Sequence, residues 1–187
     1  MDTSRAGLRE QALHRRRSLT HDLRERKSLE ILENLWKCPE ITWANEWCVY
    51  LGVKDEVQTR SLVEALWRQN KNVTLPKRIN EEYWPVLVKE NLQTQTVVGG
   101  YGTLEPREDI PFTGMIDVWV IPGVAFDIQG HRLGYGLGYY DRMLAGQSGL
   151  KVGLSFEIQI IPEFPPRDED LLLDFVITED RVIRCQK

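Results

Sequence analysis

From Gly134 to Arg142 the chain reads GYGLGYYDR, three alternate glycines (Gly134, Gly136, Gly138) followed at once by Tyr139, Tyr140, Asp141 and Arg142. Glycines at the mouth of a helix let backbone N–H groups approach an anion, and the helix start adds partial positive charge. The stretch therefore reads as a phosphate-binding loop. It matches neither common nucleotide fingerprint: no Gly-Lys-Ser/Thr ending follows, and Tyr139 stands where the dinucleotide pattern has its third glycine. On the glycines alone, a flexible turn between strand and helix is the plainer account.

Other groups with chemistry to offer are scattered along the chain. Arg5, Arg9 and Arg16 recur at helical spacing on one face, either a solvated basic face or a set of anion-binding cations. Asp55 and Glu56 fall after a strand and before a helix, where an open α/β sheet places its sites, although acidic loop pairs are commonly just solvated. Tyr101 lies in a loop from Gly99 to Glu105-Pro106, and Asp168, Glu169 and Asp170 form an acidic cluster ahead of the last strands.

The elements that must position these groups follow from periodicity. Val118 to Ile121 is a β-branched and aromatic run ending at Pro122-Gly123, a buried strand, and Asp127 to Gly130 is a turn. Residues 4 to 17 predict a helix capped by Thr3 or Ser4, with Leu8, Ala12 and Leu13 toward the core. A second helix starts at Thr20 and ends before Pro39, and a third is capped by Thr59 with Leu62, Val63, Leu66 and Trp67 inward. Further strands are expected at Trp47–Gly52, Asn72–Pro76, Tyr83–Lys89, Lys151–Ser155 and Asp174–Thr178, and Arg181–Gln186 is either a closing strand or a poorly ordered tail; Pro85 marks its own as an edge or bulged strand. Strands alternating with helices predict an α/β sandwich with right-handed crossovers and a largely parallel sheet.

At 187 residues, one domain covering 1–187 is expected, large enough to bury a core without staples. A net charge of −4 argues against a general nucleic-acid footprint. No apolar run approaches bilayer-spanning length, and the N-terminus has no apolar signal core. Cys38, Cys48 and Cys185 are odd in number and lack Cys-x-x-Cys spacing, which suits free thiols in a reducing, cytoplasmic setting. Nothing in the chain demands a partner subunit, so a monomer is expected.

The whole string PGVAFD followed by G-x-RLGYG-x-GYYDR resembles the signature of the 5-formyltetrahydrofolate cyclo-ligases, also called 5,10-methenyltetrahydrofolate synthetases. The resemblance implies a three-layer α/β/α fold like that of sugar-phosphate isomerases and CoA transferases. It also implies ATP-dependent conversion of 5-formyltetrahydrofolate to 5,10-methenyltetrahydrofolate, with Mg2+ as cofactor. Family ATP contacts carry over to Arg5, Arg9, Arg132, Leu133, Gly134, Tyr135, Gly136, Leu137, Gly138, Tyr139 and Tyr140. Folate contacts carry over to Glu56, Tyr101, Tyr135, Gly136, Leu137, Gly138 and Tyr139. Tyr139, Tyr140 and Asp141 are the implied catalytic group, and Asp141 with Asp170 the implied metal ligands.

Three positions depart from the family pattern. Arg5 replaces the lysine of its Lys-x-x-Leu-Arg motif, exchanging a point charge for a planar fork. Leu137 replaces a small or basic residue, and Glu169 stands where a histidine usually precedes the metal aspartate. Competing readings are another enzyme on the same fold, a catalytically silent module binding nucleotide, folate or RNA, and a structural or interaction domain.

Overall fold

The structure is a computed structural model that describes residues 4–163 and 170–185. Helices α1 (Arg5–Arg17), α2 (His21–Trp36) and α3 (Pro39–Thr42) lead into strand β1 (Glu46–Val49). Helix α4 (Arg60–Arg68) is followed by β2 (Asn72–Ile79), β3 (Glu82–Val88) and α5 (Leu92–Gln95). The short strands β4 (Thr96–Val98) and β5 (Leu104–Pro106) precede β6 (Val118–Ile121). After β7 (Ala125–Phe126) and β8 (Arg132–Leu133) come α6 (Tyr139–Leu144), β9 (Leu150–Leu154), β10 (Phe175–Ile177) and β11 (Val182–Arg184).

Seven strands form the main sheet in the order β11-β10-β9-β6-β1-β2-β3. The five central strands run parallel, while β3 and β11 are antiparallel edges. Side chains alternate across a strand, and here the alternation divides the core in two. Val118 and Val120 of β6, Trp47 and Val49 of β1, and Phe175 and Ile177 of β10 pack with Ile31, Leu32 and Leu35 of α2 and Leu62, Val63 and Leu66 of α4. Trp119, Ile121, Cys48 and Val176, from the same strands, join Leu144 of α6 on the opposite face. A sheet buried on both faces reads as continuous apolar runs, which is why all four residues of β6 are buried.

Helix α1 docks elsewhere. Its Ala12 packs with Val124, Ala125 and Leu133 of the β7–β8 hairpin and with Ile161, and its Arg9 and Arg16 reach the loop that leaves β8. The hairpin turn is closed by Asp127, whose carboxylate accepts from the N–H groups of Gln129 and His131 at 2.9 and 3.0 Å.

Several expectations hold: Ser4 and Thr20 are the N-caps of α1 and α2, and Pro85 lies on an edge strand. Others are corrected. Thr59 precedes α4 but makes no capping bond, because its hydroxyl is held by strand-exit backbone: it donates to the Tyr50 carbonyl and accepts from Gly52 N at 3.2 Å. Gly99 to Pro106 is not an irregular loop but the turn and second strand of the β4–β5 hairpin, a ladder too short to leave a period-2 pattern. The three cysteines are free thiols, and no helix among the described residues is long and apolar enough to cross a membrane.

Candidate functional site

A cleft of about 390 Å³ opens where β1 and β6 end, bounded by Tyr50 and Pro122 and by Pro76 within β2. β1 leads through α4 to β2 on one side, whereas β6 lies on its other side, so the chain reverses direction across the sheet at this point. Crevices at the carboxyl ends of strands beside such a reversal are where open α/β sheets bind ligands. The volume lies within the roughly 300–1,000 Å³ of small-molecule sites.

One wall is the glycine stretch. Its central residues, Tyr135 to Leu137, are exposed rather than turned into the core. Gly136 has φ of 96° and Gly138, at the start of α6, has φ of 65°, left-handed values that favour glycine. Arg9 reaches the stretch from α1, its Nε donating to the Gly134 carbonyl at 2.8 Å. Arg132 is buried at the base, donating to Asp141 Oδ1 at 2.7 Å and to the Pro122 carbonyl at 3.3 Å. Its Nε has no hydrogen-bond partner among the described residues. Arg132 lines the cleft beside Gly138, so its guanidinium is a candidate partner for an oxyanion. Helix α6 has only six residues, so the loop's own N–H groups, more than a macrodipole, would supply the attraction.

Arg5 and Asp170 neutralise each other: the guanidinium donates to both carboxylate oxygens, at 2.5 and 2.9 Å. Tyr139 rests on Tyr83 of β3, ring centroids 4.8 Å apart and tilted by 47°, with the Arg142 guanidinium 5.3 Å from its centroid. The Arg132 guanidinium lies 5.6 Å from the Tyr140 ring, and burial raises the Tyr140 hydroxyl well above an ordinary phenol, so it stays protonated at neutral pH.

Glu56 lines the same cleft, 7% exposed, with Oε2 accepting from Val53 N at 3.1 Å and Oε1 from the Tyr135 hydroxyl at 3.2 Å. Thr103, Leu104 and Glu105 of the β4–β5 hairpin also border the cleft. The backbone of Tyr101 forms the single turn of that hairpin, and its side chain lies outside the described part.

The profile of the 5-formyltetrahydrofolate cyclo-ligase family matches residues 1–179. The chain belongs to this family. It is 31% identical over 176 residues to the Escherichia coli 5-formyltetrahydrofolate cyclo-ligase, covering 90% of this chain and 96% of that protein. The probable 5-formyltetrahydrofolate cyclo-ligase of Schizosaccharomyces pombe is 29% identical, covering 84% and 86%. The NMR structure of Aquifex aeolicus 5,10-methenyltetrahydrofolate synthetase superposes with a TM-score of 0.87 at 33% identity, covering 98% of this chain and 93% of that one.

In this cyclo-ligase the fold gathers Arg132, Gly138, Tyr139, Tyr140, Asp141 and Glu56 around one cleft, with Arg9 bound to the glycine stretch at Gly134. A magnesium ion usually takes one or two protein carboxylates and fills its remaining positions with phosphate and water. Asp141 fits that role, since one oxygen is engaged by Arg132 and its side chain is partly exposed. Asp170 does not fit as it stands, because Arg5 occupies both its oxygens; the expected metal role of one and nucleotide role of the other require that pair to part. Among the described residues no three His, Cys, Asp or Glu side chains cluster as an all-protein metal cage.

Sequence reasoning missed two members of this site. Tyr83 stood out only as a strand residue, although Glu82 to Val88 is an edge strand with a face free to meet Tyr139. For Arg16 the spacing left a solvated basic face and an anion-binding cation open, and it is neither a solvated residue, at 1% exposed, nor free of protein partners. The available signal was its spacing: Arg16 lies four residues beyond Ala12, on the buried stripe of α1.

Proposed function

We propose that this cyclo-ligase converts 5-formyltetrahydrofolate and ATP to 5,10-methenyltetrahydrofolate, ADP and phosphate. The reading is carried by one observation: Arg132 and Asp141, joined by a hydrogen bond, border the same cleft as Gly138 and Glu56. The formyl carbon on N5 belongs to an amide and is a poor electrophile. Transfer of the γ-phosphoryl group to the formyl oxygen releases ADP and makes that oxygen a leaving group. N10 of the same molecule then bonds to the carbon and gives up its proton, and the C–O bond breaks to expel phosphate.

Such chemistry asks the protein mainly for alignment and charge balance. The loop N–H groups and Arg132 hold the phosphates, Arg9 holds the loop through Gly134, and Arg5 joins them if Asp170 lets it go. Tyr139, wedged between Tyr83 and Arg142, forms the boundary between nucleotide and folate. A magnesium ion on Asp141 would neutralise charge on the transferring phosphates. Glu56 receives N–H groups of the pterin.

The test is to incubate the protein with Mg-ATP and 5-formyltetrahydrofolate and follow the methenyl product by its absorbance. Product that depends on both substrates supports the proposal, and phosphate release without folate overturns it. The Glu56 role has its own signature. Burial raises this carboxyl above the usual carboxylate range, against the lowering pull of Val53 N–H, Arg16 and the Tyr135 hydroxyl. Its protonation on acidification therefore starts at higher pH than for an exposed glutamate of pKa about 4.3. The expected result is that kcat/KM for the folate falls as pH drops through that raised value, and that Glu56→Gln removes this limb while lowering activity at neutral pH. The same limb persisting in the variant rejects Glu56 as its origin.

A further inference from the structure

Arg16 is the most buried guanidinium at the cleft, and its hydrogen bonds join three segments that are distant in sequence. Nε and Nη2 donate to the two oxygens of Asp55, at 3.1 and 3.2 Å, in the loop after β1. Nη1 donates to the Gly123 carbonyl at 3.1 Å, in the loop after β6. Nη2 also donates to the Tyr135 hydroxyl at 2.6 Å, within the glycine stretch. We propose that Arg16 is a positioning residue for the cyclo-ligase reaction, which sets the spacing between the glycine loop and Glu56 by orienting the Tyr135 hydroxyl and the Asp55–Glu56 loop; the inference rests on the folate reading above.

A hydroxyl has one proton to give. Because the Tyr135 oxygen accepts from Arg16, its proton is left for Glu56 Oε1, and the carboxylate is fixed between that hydroxyl and Val53 N. Tyr135 is otherwise 53% exposed, so without Arg16 its ring has little to hold it over Glu56. Arg9 restrains the loop at Gly134 and Arg16 restrains it one residue later while holding Asp55, which makes α1 a bar along which the glycine loop and the Asp55–Glu56 loop are registered. Stability is a poor explanation for this arrangement. Burying an ion pair costs desolvation that its attraction barely repays, and apolar side chains of similar volume often replace such pairs without loss. What an apolar side chain cannot replace is the directed fork that reaches three segments at once.

The test compares wild type, Arg16→Met, Arg16→Lys, Tyr135→Phe and the double variant Arg16→Met/Tyr135→Phe by steady-state kinetics and thermal melting. Arg16→Met and Tyr135→Phe should each raise KM for 5-formyltetrahydrofolate about tenfold, as expected for losing a hydrogen bond to a charged partner. Turnover should fall less than about threefold, the pattern of lost substrate binding. Arg16→Lys should restore part of the affinity, and the double variant should be no worse than the poorer single one to within about twofold, because both changes cut the same link. Folded Arg16→Met with wild-type folate KM, or effects that multiply in the double variant, overturns the proposal. If Arg16→Met does not fold, Tyr135→Phe decides, since it removes one hydroxyl from an exposed ring; an unchanged folate KM there overturns the proposal equally. A wild-type protein that forms no methenyl product overturns the folate reading itself, whereas active wild type with unaltered variants overturns Arg16 alone.

Discussion

Replacing Asp141 with asparagine lowers turnover at least about tenfold, equivalent to roughly 1.4 kcal/mol in the barrier. Asn preserves the shape of the side chain and can still accept the 2.7 Å bond from Arg132 Nη2, so the local fold should survive. What it loses is the negative charge that balances a buried guanidinium and that would hold a cation against the nucleotide phosphates. The measurement is turnover at saturating ATP and folate across a magnesium series, with circular dichroism to confirm folding. A folded variant with wild-type turnover at every magnesium concentration removes Asp141 from the metal role.

Gly136→Val should lower kcat/KM for ATP about a hundredfold, close to the roughly 3 kcal/mol upper end for forcing a side chain into a sparsely populated backbone region. Space is not the obstacle, since a Cβ at Gly136 meets the Arg9 guanidinium only at 3.7 Å, an ordinary contact. The obstacle is φ of 96°, which a β-branched residue rarely adopts, so the backbone must turn and the loop loses the conformation proposed to hold the phosphates. The loop is exposed, so the melting temperature should change little while nucleotide use collapses. Gly138→Asn is the contrast: φ of 65° and ψ of 15° is a left-handed conformation that asparagine tolerates, and although its Cβ would meet Arg142 Nη1 at 2.9 Å, that flexible side-chain end can give way, so the change should be milder. Equal losses in both variants would show that bulk, not backbone conformation, is what the loop cannot accept.

Much of this architecture was legible along the chain because it depends on local regularities. The apolar run Val118–Ile121 announces a strand buried on both faces, Ser4 and Thr20 announce helix starts, and Pro85 announces an edge. Glycines that carry positive φ at Gly136 and Gly138 are recognisable as a run with no side chains to offer. Thr59 misled because a hydroxyl beside a helix start can cap it or bind elsewhere, and nearby strand-exit backbone took it first. The β4–β5 hairpin was missed because three residues per strand cannot establish a period.

By itself, then, the amino-acid order determined the parallel α/β class and marked the glycine stretch as a candidate phosphate loop, while the family resemblance of its motifs singled out Arg9, Glu56 and Asp141 as groups worth placing near it. Only the tertiary structure decided their pairing. It set Arg5 against Asp170, Arg132 against Asp141, and Arg16 beneath Asp55 and Tyr135, and it made Tyr83 a wall for Tyr139. The physical reason is that helix caps, strand runs and turn glycines are set by neighbours in the chain, whereas a buried charge is placed by whichever partner the packing of remote segments brings within reach. Arg5 and Asp170 stand 165 positions apart, and no periodicity spans that distance.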